Sequence, residues 1–281
     1  MTWLKVKNFL PIIMGSLLLT HCSCDFFGTA GALLISEDDE VELGREFDLQ
    51  LRTKDTAGAY PIYVPRNAEE TAFQNYVLGL AEEVLAAVPA KERPDYDFTF
   101  TLIDKDVENA FAVPGGYVYI YTGIIKKMKD ESELVGVLGH EIAHVTRHHY
   151  RDAMAKDAGL SLILQALLGN DAGQLAQLVA GSLYSMAGLK VSQSNESEAD
   201  FYGTRYTAAT ERNPLGIAKF FGRFDSQGSL ASWFSTHPDP PDRVSEVRSQ
   251  VNGSDTFKQL ASDSLTTNYQ SRFEQRTQVI R

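Results

Sequence analysis

Apolar residues recur along most of this chain at helical spacing, and one short stretch switches to alternation. Ser36 stands before four acids, Glu37-Asp38-Asp39-Glu40. That is an N-cap followed by charges that suit a helix dipole, and it predicts a helix to about Leu51. Asn67 opens a second helix, from 68 to about 88, with Phe73, Val77, Leu80, Val84 and Leu85 on one face. Residues 96–103, 109–113 and 117–121 alternate and are rich in aromatic and β-branched side chains, so they predict three strands. The last two form a hairpin around Pro114-Gly115-Gly116. A short helix then leads into a longer one, where Leu134, Val137 and Leu138 mark a buried face and the helix runs on through Arg147, His148 and His149. Residues 153–189 are apolar and helical, interrupted at Gly169-Asn170-Asp171. Their Gln165, Asp171, Gln174 and Gln177 argue against a bilayer span. Further helices are expected over 192–209, from Asn213-Pro214 through Phe221, and over 242–251. Residues 224–241 read as a Ser- and Gly-rich loop, and 252–281, polar and without a clear period, as a peripheral tail. The fold class is α+β, mainly helical, with a small sheet beside one central helix.

Both cysteines, Cys22 and Cys24, lie near the N-terminus, so the rest of the chain has no disulfide framework and no cysteine metal site. Lys5 and Lys7 precede an apolar run from Phe9 to Leu19, which reads as a secretory signal over 1–24. A cysteine directly after such a run is similar to a bacterial lipoprotein signal. Leu19-Thr20-His21-Cys22 points to Cys22 as the lipidated residue, with Cys24 as the alternative. Residues 25–35 form a tether, 36–251 the main domain. A formal net charge of −11 argues against nucleic acid and polybasic membrane contact as partners.

The central helix carries His140-Glu141-Ile142-Ala143-His144. Residues i and i+4 leave the same helix face, so both imidazoles can reach one Zn²⁺ at about 2.0–2.1 Å. Glu141 lies beside that metal and can take a proton from a water. Two histidines do not complete a catalytic site. A third histidine in the H-E-x-x-H-x-x-G-x-x-H pattern fails, because Arg147 and Tyr150 stand at the last two positions. His148 and His149 read as structural or surface groups. Asn195-Glu196-Ser197-Glu198-Ala199-Asp200 offers a carboxylate instead. Glu196 and Asp200 share a face, so one can bind metal while the other orients a ligand histidine. The plainer reading of such a cluster is a solvated acidic face. Glu198 points elsewhere.

The H-E-I-A-H with a later E-x-x-x-D resembles the gluzincin zinc metallopeptidases that include HtpX, the type-1 CAAX prenyl proteases and BepA. Asn109-Ala110-Phe111-Ala112-Val113-Pro114-Gly115-Gly116 is similar to that family's N-A-F-A-x-P-G-G strand, and Thr236-His237-Pro238 with Arg243 to its H-P-x-x-x-x-R element. The resemblance spans about residues 40–250. It implies a zincin-type metallopeptidase domain with one Zn²⁺ on His140, His144 and Glu196, and Glu141 as the base. It places His237 near the metal, either donating to the oxyanion or plugging the open position, with Arg243 supporting it. Asn109, Ala110, Phe111, Ala112, Gly115 and Gly116 would line an extended protein or peptide substrate. The chain lacks the transmembrane helices of the membrane-embedded members, so a prenylated substrate is not expected, and tetratricopeptide repeats are not found after Val251. The expected activity is that of an exported zinc endopeptidase. A chaperone-like protein with a latched metal site and a zinc hydrolase of non-peptide bonds are the rivals.

Overall fold

The computed structural model describes residues 35–53, 60–157, 191–224, 230–237, 242–262 and 265–281. The signal and tether readings and the apolar 158–189 segment lie outside them. Among the described residues no helix is long and apolar enough to cross a membrane.

Helix α1 (Glu37–Thr53) starts where Ser36 Oγ accepts the Asp39 N–H, and it buries Leu43, Phe47 and Leu51. In α2 (Ala68–Ala87) Asn67 Oδ1 accepts the Glu70 N–H at 2.8 Å, and the expected face of Phe73, Val77, Leu80, Val84 and Leu85 is buried. The sheet has three strands in the order β1-β3-β2: β1 (Thr99–Ile103), β2 (Ala110–Val113) and β3 (Tyr117–Tyr121). β1 runs parallel to β3 and β2 antiparallel to it, which leaves β2 on an edge. Gly115 (φ 75°) makes the turn between β2 and β3 in the left-handed region. A Cβ there would sit 2.6 Å from the Glu40 carbonyl, so α1 seals the turn only because the side chain is absent.

After α3 (Thr122–Lys127) comes α4 (Glu131–Thr146), the expected central helix. Asp130 caps it, accepting the N–H groups of Ser132 and Glu133. Every residue of α4 is buried, polar ones included. A helix buried on all sides needs neighbours all round. It has α2 and β2, together with α6 (Gln193–Ala209), α7 (Gly216–Phe221) and α11 (Leu265–Thr277). At the contact with α6, glycine meets glycine. A Cβ on Gly203 of α6 would lie 2.8 Å from His140 N, and one on Gly139 2.8 Å from the Gly203 carbonyl.

Three expectations are corrected. The central helix does not run on through His149. It ends at Thr146, His148 adopts φ 53°, and α5 (His149–Asp157) starts afresh. Within the expected 224–241 loop, α8 (Ala231–Thr236) buries Trp233 completely. It is a helix of six residues, too short to show a period. After α9 (Arg243–Asn252), the segment read as a polar tail forms α10 (Asp255–Ser262) and α11. Phe273 is fully buried, and Arg272 pairs with Glu131 at the start of α4. Tyr76 and Arg212 bind the same carboxylate, at 2.7 and 3.0 Å, and Arg223 binds Glu133 at 2.7 Å. These four side chains, each from a different segment, fix the N-terminal end of the central helix.

The contact between α4 and α6 makes a test. Gly203→Ala forces backbone apart and is expected to cost about 1–3 kcal/mol. Gly79→Ala, with nothing within 4 Å of the new Cβ, is expected to add about 0.5–1 kcal/mol by helix propensity. Urea denaturation of both variants checks this, and equal effects would refute the glycine contact as a packing constraint.

Candidate metal centre

His140 and His144 leave α4 one turn apart and their Nε2 atoms stand 3.0 Å from each other. Glu196, in the first turn of α6, brings Oε2 to 3.4 Å from His140 Nε2 and Oε1 to 3.4 Å from His144 Nε2. His237 follows α8 directly and sets its Nδ1 3.1 Å from Glu196 Oε1. These four side chains are fully buried and can hold a divalent metal together, their ligand atoms lying within 4.8 Å of one another.

The donor chemistry fits such an ion. Asp200 Oδ1 lies 2.9 Å from His140 Nδ1. A carboxylate only accepts, so His140 donates from Nδ1 and its Nε2 is a bare acceptor. Glu196 Oε2 has no hydrogen-bond partner. Acceptors packed around one point require a cation between them. Without a metal, a proton fills that role. Burial opposes charge on His140, but Asp200 and Glu196 outweigh it and push its pKa up to about 9. Burial and then the charge on His140 hold His144 well below its ordinary value. Burial would raise Glu196, yet His237, His140 and His144 hold it well below the usual carboxylate range.

Arg243, expected to support His237, clamps Asp200, with Nε 2.9 Å from Oδ2 and Nη2 2.8 Å from Oδ1. Asp200 is buried, which alone would raise its pKa, and Arg243 with His140 lowers it. His148 binds Glu40 at 2.8 Å, away from the cluster. His149 is buried against His144 and Glu198, and burial pushes its imidazole down. A hydrogen bond from His149, with Arg147 assisting against burial, takes Glu198 down to about 2.

Glu141 is fully buried beside the ligands, and neither carboxylate oxygen has a hydrogen-bond partner. Burial raises its pKa, with His237 and His140 pulling the other way. Its Oε1 lies 3.6 Å from His237 Nε2. The edge strand arrives here too. Tyr121 N–H donates to the Asn109 carbonyl, so odd residues of β2 face β3 and Ala110 and Ala112 face outward. The Ala110 carbonyl is 3.3 Å from His237 Nε2, and the Ala112 N–H faces Glu141 and Tyr150. Phe111 turns into an aromatic cluster with Phe47 and Tyr119. Asn109 is buried, and Gly115 and Gly116 pack against the backbones of Glu40 and Asp97. Two side chains were missed in the sequence. Trp233 stacks on His237 at 4.2 Å and lies 5.5 Å from His140, and Tyr150 lies 5.7 Å from His144. Trp233 and His237 are i and i+4, a signal visible had 231–236 been read as helix.

Two helices therefore present an H-E-x-x-H pair, a glutamate from a later helix and an unpaired buried carboxylate, an active centre of zinc-protease type. Residues 73–251 match peptidase family M48, and the chain belongs to that family. It is 30% identical over 242 residues to the beta-barrel assembly-enhancing protease of Yersinia pestis, covering 80% of this chain and 46% of that protein. It is 31% identical over 152 residues to metalloprotease LoiP of Escherichia coli strain K12, covering 52% of this chain and 60% of LoiP. The mitochondrial metalloendopeptidase OMA1 of Arabidopsis thaliana is 27% identical over 156 residues, covering 54% of this chain and 31% of OMA1. The chain spans about half the length of the assembly-enhancing proteases it matches.

The proton on His140 must leave for a metal to bind. Each unit by which pH falls below that pKa of about 9 strengthens the proton's competition, so the apparent affinity for Co²⁺ is expected to rise about tenfold per unit of increasing pH and level off near pH 9. A titration that is flat between pH 7 and 9 would refute the assignment of the competing proton.

Proposed function

We propose that the chain is a zinc-dependent endopeptidase of the bacterial envelope. The observation that carries the reading is Glu141, a buried carboxylate with no hydrogen-bond partner, beside a His/His/Glu set and an outward-facing strand edge. His140, His144 and Glu196 would hold one Zn²⁺, which, when bound, acidifies a water and polarises a carbonyl. An extended peptide would add to β2 through the outward backbone groups of Ala110 and Ala112. Glu141 takes a proton from the attacking water as oxygen bonds to the scissile carbon. His237 donates from Nε2 to the developing oxyanion, with Trp233 holding its ring. Glu141 then gives its proton to the leaving nitrogen, and the C–N bond breaks. Asp200 and Arg243 keep His140 donating from Nδ1 throughout.

The substrate would be a protein with an accessible extended segment, in envelope quality control. The relatives named for assembly of β-barrels support that role. The signal pattern supports a periplasmic protein, lipid-anchored through Cys22, or Cys24, with no further membrane contact. Glu141→Gln is expected to lower hydrolysis of an unfolded protein substrate by at least about 10²–10⁴-fold. Zinc content, measured by atomic emission, should stay at one per chain. Full cleavage in this variant would sink the mechanism.

One observation favours a second state of the same site. His237 is fully buried, sits over the Ala110 carbonyl and leans on Glu196, so it covers the edge a peptide would use. A latched, chaperone-like protein would show this arrangement permanently. His237→Ala separates the two readings. A donor to the oxyanion predicts a fall in kcat of about 10²-fold or more. A permanent latch predicts that cleavage, absent from the wild-type chain, appears in the variant.

A further inference from the structure

Helix α6 carries three carboxylates near its start, Glu196, Glu198 and Asp200. The sequence reading sets Glu198 apart from the centre, and its side chain is indeed 39% exposed. It is nevertheless joined to His144. The His149 ring is buried, with Nδ1 2.9 Å from His144 Nδ1 and Nε2 3.4 Å from Glu198 Oε2. The protons can be placed from the outer end inward. A carboxylate only accepts, so His149 carries its proton on Nε2 and its Nδ1 is an acceptor. The proton between the two Nδ1 atoms therefore belongs to His144. His144 Nε2 is left bare and faces His140 and Glu196.

The chain is built to hold this relay. The left-handed turn at His148 (φ 53°) ends α4 and swings His149 back against the last turn of that helix. Arg147, at the same turn, donates from Nε to Glu198 Oε1 at 2.7 Å and stacks over the Tyr202 ring at 4.5 Å. The arrangement mirrors the other histidine. Asp200, clamped by Arg243, serves His140 directly. Glu198, clamped by Arg147, serves His144 through His149.

We propose that His149 and Glu198 are positioning residues that fix the tautomer and ring orientation of His144 for metal binding. This rests on the reading of His144 as a metal ligand. A carboxylate two residues before Asp200 and a histidine five residues after His144 thereby join the centre without touching the metal.

The test uses the full chain and reads zinc affinity by chelator competition together with the absorption bands of the Co²⁺-loaded protein. His149→Leu removes the acceptor and is expected to weaken zinc binding about 10–100-fold and shift the Co²⁺ bands. His149→Asn keeps an acceptor near the Nδ1 position and should recover most of the loss. Glu198→Ala, on a partly exposed side chain, should weaken binding by a smaller factor in the same direction. Equal losses in the Leu and Asn variants would show packing rather than positioning and overturn the proposal, as would wild-type affinity in His149→Leu. If His149→Leu fails to fold by circular dichroism, Glu198→Ala decides: wild-type affinity there overturns the relay. Absence of stoichiometric zinc in the wild-type chain would overturn the metal reading itself, whatever the variants do.

Discussion

The centre depends on how closely α4 and α6 can approach. Gly139 and Gly203 let the two backbones touch, and Gly203 meets the backbone of His140 itself. Glutamate side chains are short against the breadth of a helix, so Glu196 reaches both histidines only because the axes are this near. The same approach puts Asp200, one turn on, within 2.9 Å of His140. One steric fact thus sets a candidate ligand and the partner of a candidate ligand histidine together, since residues four apart share a helix face.

Closeness brings an electrostatic problem. His140, Glu141, His144, Glu196, Asp200 and His237 are buried with almost no exposure. Burying ions costs on the order of several kcal/mol each unless they are paired. The pairing here is graded. Arg243 neutralises Asp200, and Asp200 in turn polarises His140. Glu196 draws on three imidazoles. Glu141 has His237 no nearer than 3.6 Å, and neither of its oxygens makes a full hydrogen bond. A group left unsatisfied among satisfied neighbours is a reservoir of reactivity, because anything that supplies it a proton is stabilised.

Much of this was legible in the sequence, for a specific reason. The H-E-x-x-H and the Glu196/Asp200 pair each lie within one helix, where spacing alone fixes which side chains share a face. What spacing does not carry is direction after a helix ends. His149 looked like a continuation of α4, yet a positive φ at His148 reverses it onto His144. That conformation is uncommon for histidine and has no composition signal. Trp233 escaped because six residues are too few to display a period amid Ser and Gly. Phe273 escaped because one buried aromatic in a polar helix gives no stripe, although Arg272 beside it pairs with Glu131.

The edge strand and the histidine over it are best understood as one device. β2 has an outward row of backbone groups, and an exposed row of that kind invites uncontrolled pairing. Here the Ala110 carbonyl faces His237 Nε2 and the Ala112 N–H faces Glu141, so the edge is closed by the same residues that would carry out chemistry on a bound peptide. On the proposed reading, a peptide adding to the edge would displace His237 from Ala110 and so free an N–H donor where its scissile carbonyl would arrive. Protection of the strand at rest and readiness of the donor on binding then follow from a single side chain, held by Trp233 from behind. Donor and latch are successive states of His237 on this view, and the height of the step between them is set by how strongly Glu196 and Ala110 retain it.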